Sequence, residues 1–97
     1  KTPHYNLNAI RSLIDSGHVR ITIKARRSGL EELGLDKNEI IDTVYNLTGQ
    51  EFYKSMTSHE DHKKWHDVYH KKIMRKIAYI KIQIDSGDTV VISFKEK

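Results

Sequence analysis

Apolar and polar residues alternate with the period of a strand over the last quarter of the chain. In Ile77 to Asp85, the residues Ala78, Ile80, Ile82 and Ile84 alternate with Tyr79, Lys81 and Gln83. In Val90-Val91-Ile92-Ser93-Phe94-Lys95, the same period sends Val90, Ile92 and Phe94 to one face and Ser93 with Lys95 to the other. The link Asp85-Ser86-Gly87-Asp88 reads as a hairpin turn. The apolar faces of paired strands must coincide, so a turn of two or four residues, which would set Ile82 opposite Val91, is disfavoured and an odd length is expected. Two registers satisfy that condition. With Ser86 to Asp88 as the loop, Tyr79 faces Lys95; with Asp85 to Gly87, which puts Gly87 at a left-handed position, Tyr79 faces Ser93. Either way Tyr79 and Lys95 are direct or diagonal neighbours, about 5–8 Å apart.

The first half carries helical spacing instead. Leu7, Ile10, Leu13 and Ile14 follow Asn6 as a cap, and Gly17 ends the segment. Val19 to Ile23 is a short extended stretch. Ser28 with Glu31 forms a candidate capping box for one or two turns ending at Gly34. A third helix starts at Asp36 with Glu39 three residues on, has an apolar face of Ile40, Ile41, Val44 and Leu47, and stops at Thr48-Gly49.

Phe52-Tyr53-Lys54-Ser55-Met56-Thr57 and Trp65-His66-Asp67-Val68-Tyr69 have the aromatic and β-branched content of strands. Parity leaves their facing open. Phe52 and Met56 go with Lys54 against Tyr53, Ser55 and Thr57, and Trp65 with Tyr69 opposes His66 with Val68. His59, His62, His66 and His70 would form one stripe on a helix, a geometry suited to zinc or nickel. On a strand the stripe dissolves, with His59 opposite the other three. The H-E-x-x-H motif is absent, and no metal or other cofactor is expected.

Composition bounds the class. The 97 residues fit one domain with one modest core. The lack of cysteine removes disulfides and thiolate metal sites and is compatible with an intracellular setting. No apolar run reaches the ~18 residues of a membrane span, so no membrane partner is expected. Residues 1–51 hold seven Lys or Arg and seven acids, whereas residues 52–97 hold ten against six, so the net charge of +4 resides in the second half. That asymmetry favours an anionic partner, nucleic acid above all.

Motifs spread along the chain resemble MqsR-type toxins: Thr2-Pro3-His4, Glu32 to Asp36, Phe52 to Thr57, W-x-D-V-Y at Trp65 to Tyr69, Y-x-K at Tyr79 to Lys81, and Ser93 to Lys97. The resemblance implies an α+β fold of N-terminal helices packed on a mainly antiparallel, RelE-like sheet. It also implies a cytoplasmic mRNA-cleaving toxin that acts without an obligatory ribosome near GC-containing triplets. A cognate antitoxin would neutralise it, and the toxin alone is expected to be monomeric. Carried over by position, the catalytic residues are Lys54, His66, Tyr79 and Lys95. The family pattern has glutamine where this chain has His66.

The residue types suit the chemistry. Metal-free RNA cleavage needs a proton taken from the 2′-hydroxyl, a neutralised phosphorane, and a proton given to the leaving 5′-oxygen. Lys54 and Lys95 suit the second task. His66, with an ordinary pKa of roughly 6.5, suits neutral proton transfer better than Tyr79 at about 10. The expected products are a 2′,3′-cyclic phosphate and a 5′-hydroxyl. Tyr53, Met56 and Tyr69 are candidate base-stacking groups, and Lys81 lies on the same hairpin face as Tyr79. Lys71 and Lys72, with Lys63, Lys64, Arg75 and Lys76, form a basic run suited to an RNA backbone. The alternatives are a non-catalytic nucleic-acid-binding module and a domain that meets an acidic protein.

Overall fold

The computed structural model describes residues 2–97. Helix α1 (Leu7–Asp15) starts at Asn6, whose side chain accepts from the Asn8 backbone N–H. Strand β1 (Val19–Ile21) follows, then α2 (Ile23–Leu33) and α3 (Lys37–Tyr45). The Asp36–Glu39 capping box forms as the spacing predicts. The Ser28–Glu31 box does not. Thr22 caps α2 six residues earlier, accepting from Ala25 N–H while its hydroxyl donates to the Ile92 carbonyl. Ser28 therefore lies inside the helix and donates back to the Lys24 carbonyl. Thr48-Gly49 opens a 3-10 turn, Gly49–Glu51.

Four further strands complete one sheet: β2 (Phe52–Thr57), β3 (Trp65–Ile73), β4 (Lys76–Asp85) and β5 (Asp88–Glu96), in the order β1-β5-β4-β3-β2. All pairs are antiparallel except β1 with β5. This is the expected α+β arrangement, and it is compatible with the RelE-like label. Tyr69, Ala78, Ile80, Ile82, Val91 and Phe94 meet Ile10, Ala25, Ile40, Val44 and Leu47 of the helical segment in the core. The opposite face of the sheet carries no helix in that cluster.

Two bulges decide which side chains reach that open face. Asp85 pairs with Asp88, so the hairpin loop is Ser86-Gly87, with φ of 52° and 79°. Positive φ at both central residues marks the two-residue turn whose twist matches the strands. Ile82 does face Val91, the pairing that parity disfavours. Ile92 is the extra residue between that pair and Lys81 opposite Ser93. It reverses the facing, so Val91 and Phe94 share the core face, while Val90 and Ile92 do not join Phe94. In β2, Tyr53 is likewise extra between Phe52 opposite Tyr69 and Lys54 opposite Val68. Phe52 packs on the core, whereas Lys54 and Met56 lie on the open face.

Candidate active site

Three cross-strand rows line the open face. The first joins the Tyr53 bulge, His70, Tyr79 and Lys95. Tyr53 stacks on His70 with ring centres 4.2 Å apart, His70 lies 6.0 Å from Tyr79, and Lys95 Nζ is 5.3 Å from the Tyr79 ring centre. The second row is Lys54, Val68, Lys81 and Ser93. Val68 is fully buried although it is outside the core cluster, paired with Lys54 on one side and Lys81 on the other. The third is Met56, His66, Gln83 and Val90; because Asp67 pairs with Ile82, His66 lies beside Gln83.

The inner face anchors this arrangement. Asp67, fully buried, accepts from the backbone N–H of His4 at 3.0 Å and of Tyr5 at 2.8 Å, and from the Ser55 hydroxyl. Tyr5 Oη donates to the Trp65 carbonyl, and the His4 ring stacks on Trp65. The N-terminal arm is thereby clipped beneath the strand pair that carries Lys54 and His66.

Charge on the open face is one-sided. Among the described residues, Lys54, Lys81 and Lys95 have no carboxylate within ion-pair distance; the ion pairs form elsewhere, as in Lys71–Glu51 and Lys76–Glu96. Burial depresses the Lys81 pKa first, and repulsion from Lys95, Lys54 and Lys24 depresses it further. Burial also lowers His66, helped by Lys81, and lowers His70, helped by Lys97 and Lys54. Tyr79 is raised, chiefly by burial and then by Tyr53. Neutral imidazoles and a protonated phenol therefore surround a cluster of mutually repelling ammonium groups. Such a cluster is relieved by an anion such as phosphate.

Lys54, His66, Tyr79 and Lys95 come from four strands but share this face, with Tyr53, Met56, Lys81 and Lys72 on its rows or beyond their end. Tyr69 does not join them. It points to the helices and is fully buried against Phe52, so it offers no ring to a base. Lys71 also points inward and pairs with Glu51 at 3.0 Å. The basic run is split by the strand alternation, with Lys64 on Asp85 and Lys76 on Glu96. The histidine stripe does not form, because residues 58–64 are a loop and 65–73 a strand. Among the described residues no three His, Asp or Glu side chains gather in a metal-holding group. The sequence pattern offers His70 only as part of the histidine stripe, whereas the β3–β4 register places it opposite Tyr79; Gln83 has no task in that pattern.

With that geometry in place, the chain can be compared with known proteins. The family model described as "Motility quorum-sensing regulator, toxin of MqsA" matches residues 2–96. The chain belongs to the MqsR toxin family. The mRNA interferase toxin MqsR of Escherichia coli (strain K12) is 38% identical over 97 residues, covering 100% of this chain and 97% of that protein. The open face thus belongs to an MqsR-family sheet whose Tyr79–Lys95 adjacency follows from the β4–β5 register.

Proposed function

We propose that this MqsR-family protein is a metal-independent endoribonuclease toxin whose site is the open face around Lys54, His66, Tyr79, Lys81 and Lys95. The observation that carries the reading is the group of three unpaired lysines around two neighbouring tyrosines, Lys81 and Lys95 at the half-buried Tyr79 and Lys54 at Tyr53, with a neutral histidine one row beyond Lys54 and Lys81. A phosphodiester seated over the lysine row would have His66 on one side and Tyr79 on the other. His66 is four residues along β3 from His70, the partner of Tyr79, about 13 Å at strand spacing. Those two side chains can reach towards opposite ends of an in-line displacement.

His66, neutral through burial, takes the proton of the 2′-hydroxyl. The 2′-oxygen attacks phosphorus, and charge accumulates on the equatorial oxygens. Lys54, Lys81 and Lys95 stabilise that charge more strongly than the ground state. The bond to the 5′-oxygen breaks and Tyr79, held protonated by its raised pKa, donates a proton to it. The ends are a 2′,3′-cyclic phosphate and a 5′-hydroxyl. Tyr53, Met56 and Lys72 extend the face as RNA contacts, with stacking and backbone charge as their contributions. Cleavage of free mRNA near GC-containing triplets, neutralisation by a cognate antitoxin, a monomeric toxin and a cytoplasmic setting complete the reading that the family resemblance supports.

Incubation of purified protein with RNA in EDTA tests this. Cut strands ending in cyclic phosphate support the nuclease, whereas a gel shift without cut strands identifies a non-catalytic binder on the same cationic face.

A further inference from the structure

One polar group beside the proposed site has no task in that chemistry. Gln83 is 9% exposed, and its Oε1 is sealed from water without a hydrogen-bond partner among the described residues. A buried amide oxygen left in that state calls for a donor. The β3–β4 register puts the imidazole of His66 next to it.

The other charged groups around this hollow of about 340 Å³ are Arg20 from β1, Glu60, Asp61 and Lys64 from the 58–64 loop, and Asp85 from the end of β4. Lys81 acts from the middle of β4, and the β2 residue opposite His66 is the uncharged Met56. Asp85 is held by Lys64 at 3.3 Å and Arg20 at 3.8 Å, and Asp61 Oδ1 accepts from the Lys63 backbone N–H. The Gln83 amide is the uncharged acceptor in the cross-strand position.

We propose that Gln83 is a positioning residue for His66, its Oε1 accepting one imidazole N–H so that the other ring nitrogen is the one presented to the 2′-hydroxyl. A neutral imidazole carries its proton on one nitrogen, and the partner of that N–H fixes the tautomer. Once the free nitrogen takes the substrate proton, both nitrogens are donors and the amide oxygen stabilises the charged ring. The amide lies close enough to the ring to favour its charged form, against burial, Lys81 and Lys64, although its oxygen does not yet meet hydrogen-bond geometry.

The inference rests on His66 as the base, and two readouts separate the claims. The His66 ring is titrated by NMR in wild type, Gln83→Leu and Gln83→Glu, and the pH profile of single-turnover RNA cleavage is measured for all three. The expected result is a His66 midpoint moved down by leucine and up by glutamate, with the acid limb of the rate profile following. Gln83→Leu should also lose about tenfold in rate at its plateau, as a less basic, unanchored ring would. A His66 titration unmoved in both folded variants overturns the positioning role. A midpoint that moves without the rate profile overturns His66 as the base and, with it, the catalytic purpose of the contact.

Discussion

Tyr79 stands directly opposite Lys95 across the β4–β5 ladder, with Lys95 Nζ 5.3 Å from the centre of the Tyr79 ring. The two-residue turn and the Ile92 bulge together produce that adjacency. Tyr79→Phe removes the proposed donor without emptying its packing site, and Lys95→Ala removes a cation from the phosphorane. Each should lower the single-turnover rate by about 100-fold or more while leaving the melting temperature nearly unchanged. Cleavage within twofold of wild type in both variants would remove the pair from the mechanism.

The depressed pKa of His66 fixes a pH dependence. With the ring held below its usual 6.5, activity should be flat through neutrality and fall as pH drops through the folded-state value. The phenol of Tyr79, above 10, sets no alkaline limb near neutrality. Stability has the same sign: the unfolded chain binds the proton more readily than the folded one. The stability that neutral His66 contributes is therefore present above 6.5 and lost as pH falls through the folded-state pKa. His66→Gln and His66→Ala should both remove the acid limb. If both retain the wild-type rate and profile, His66 is not the base.

Packing predicts two opposite outcomes behind the sheet. A Cβ on Gly29 would lie 2.6 Å from Ile40 Cδ1 and 3.2 Å from Phe94 Cδ1, so Gly29→Ala should destabilise the fold by about 1–3 kcal/mol. Tyr69 Oη is buried without a partner among the described residues, and burial pushes its pKa up to about 12. Tyr69→Phe should therefore be neutral or slightly stabilising, by up to about 1 kcal/mol, and leave RNA cleavage intact. Thermal melts and cleavage rates of the two variants check both statements.

These residues also show what the sequence makes legible. The capping box at Asp36 and the β4 alternation follow from local chemistry and a period of two, whereas the Tyr79–Lys95 adjacency, expected from an odd turn, is reached through a two-residue turn and the Ile92 bulge. The facing of β2 and β5 does not, because Tyr53 and Ile92 each insert one residue that reverses the alternation. Tyr69 looked as available as Tyr53 because parity alone could not choose the inner face of β3. The Asp67 clip decides that choice through backbone donors more than sixty residues away, which no local pattern records. Thr22 likewise outcompetes Ser28 as a cap because its hydroxyl also bonds to β5.

Salt should separate the lysines of the site from the rest of the basic chain. If Lys54, Lys81 and Lys95 each neutralise a phosphate, RNA affinity falls steeply with salt, and each Lys→Ala change reduces the log–log slope by about 0.7. Lys71→Ala, which breaks an inward ion pair with Glu51, should leave the slope unchanged. Binding isotherms at several salt concentrations, taken with a non-cleavable RNA, provide the slopes.

The most direct measurement uses one RNA oligonucleotide with a mapped cut site and its twin carrying a single 2′-deoxy sugar immediately 5′ of the scissile phosphate, both in EDTA. The account predicts cleavage of the first to a 2′,3′-cyclic phosphate and no cleavage of the second at that position, with equal binding of both. Cleavage of the deoxy twin at the same bond would contradict attack by the 2′-hydroxyl.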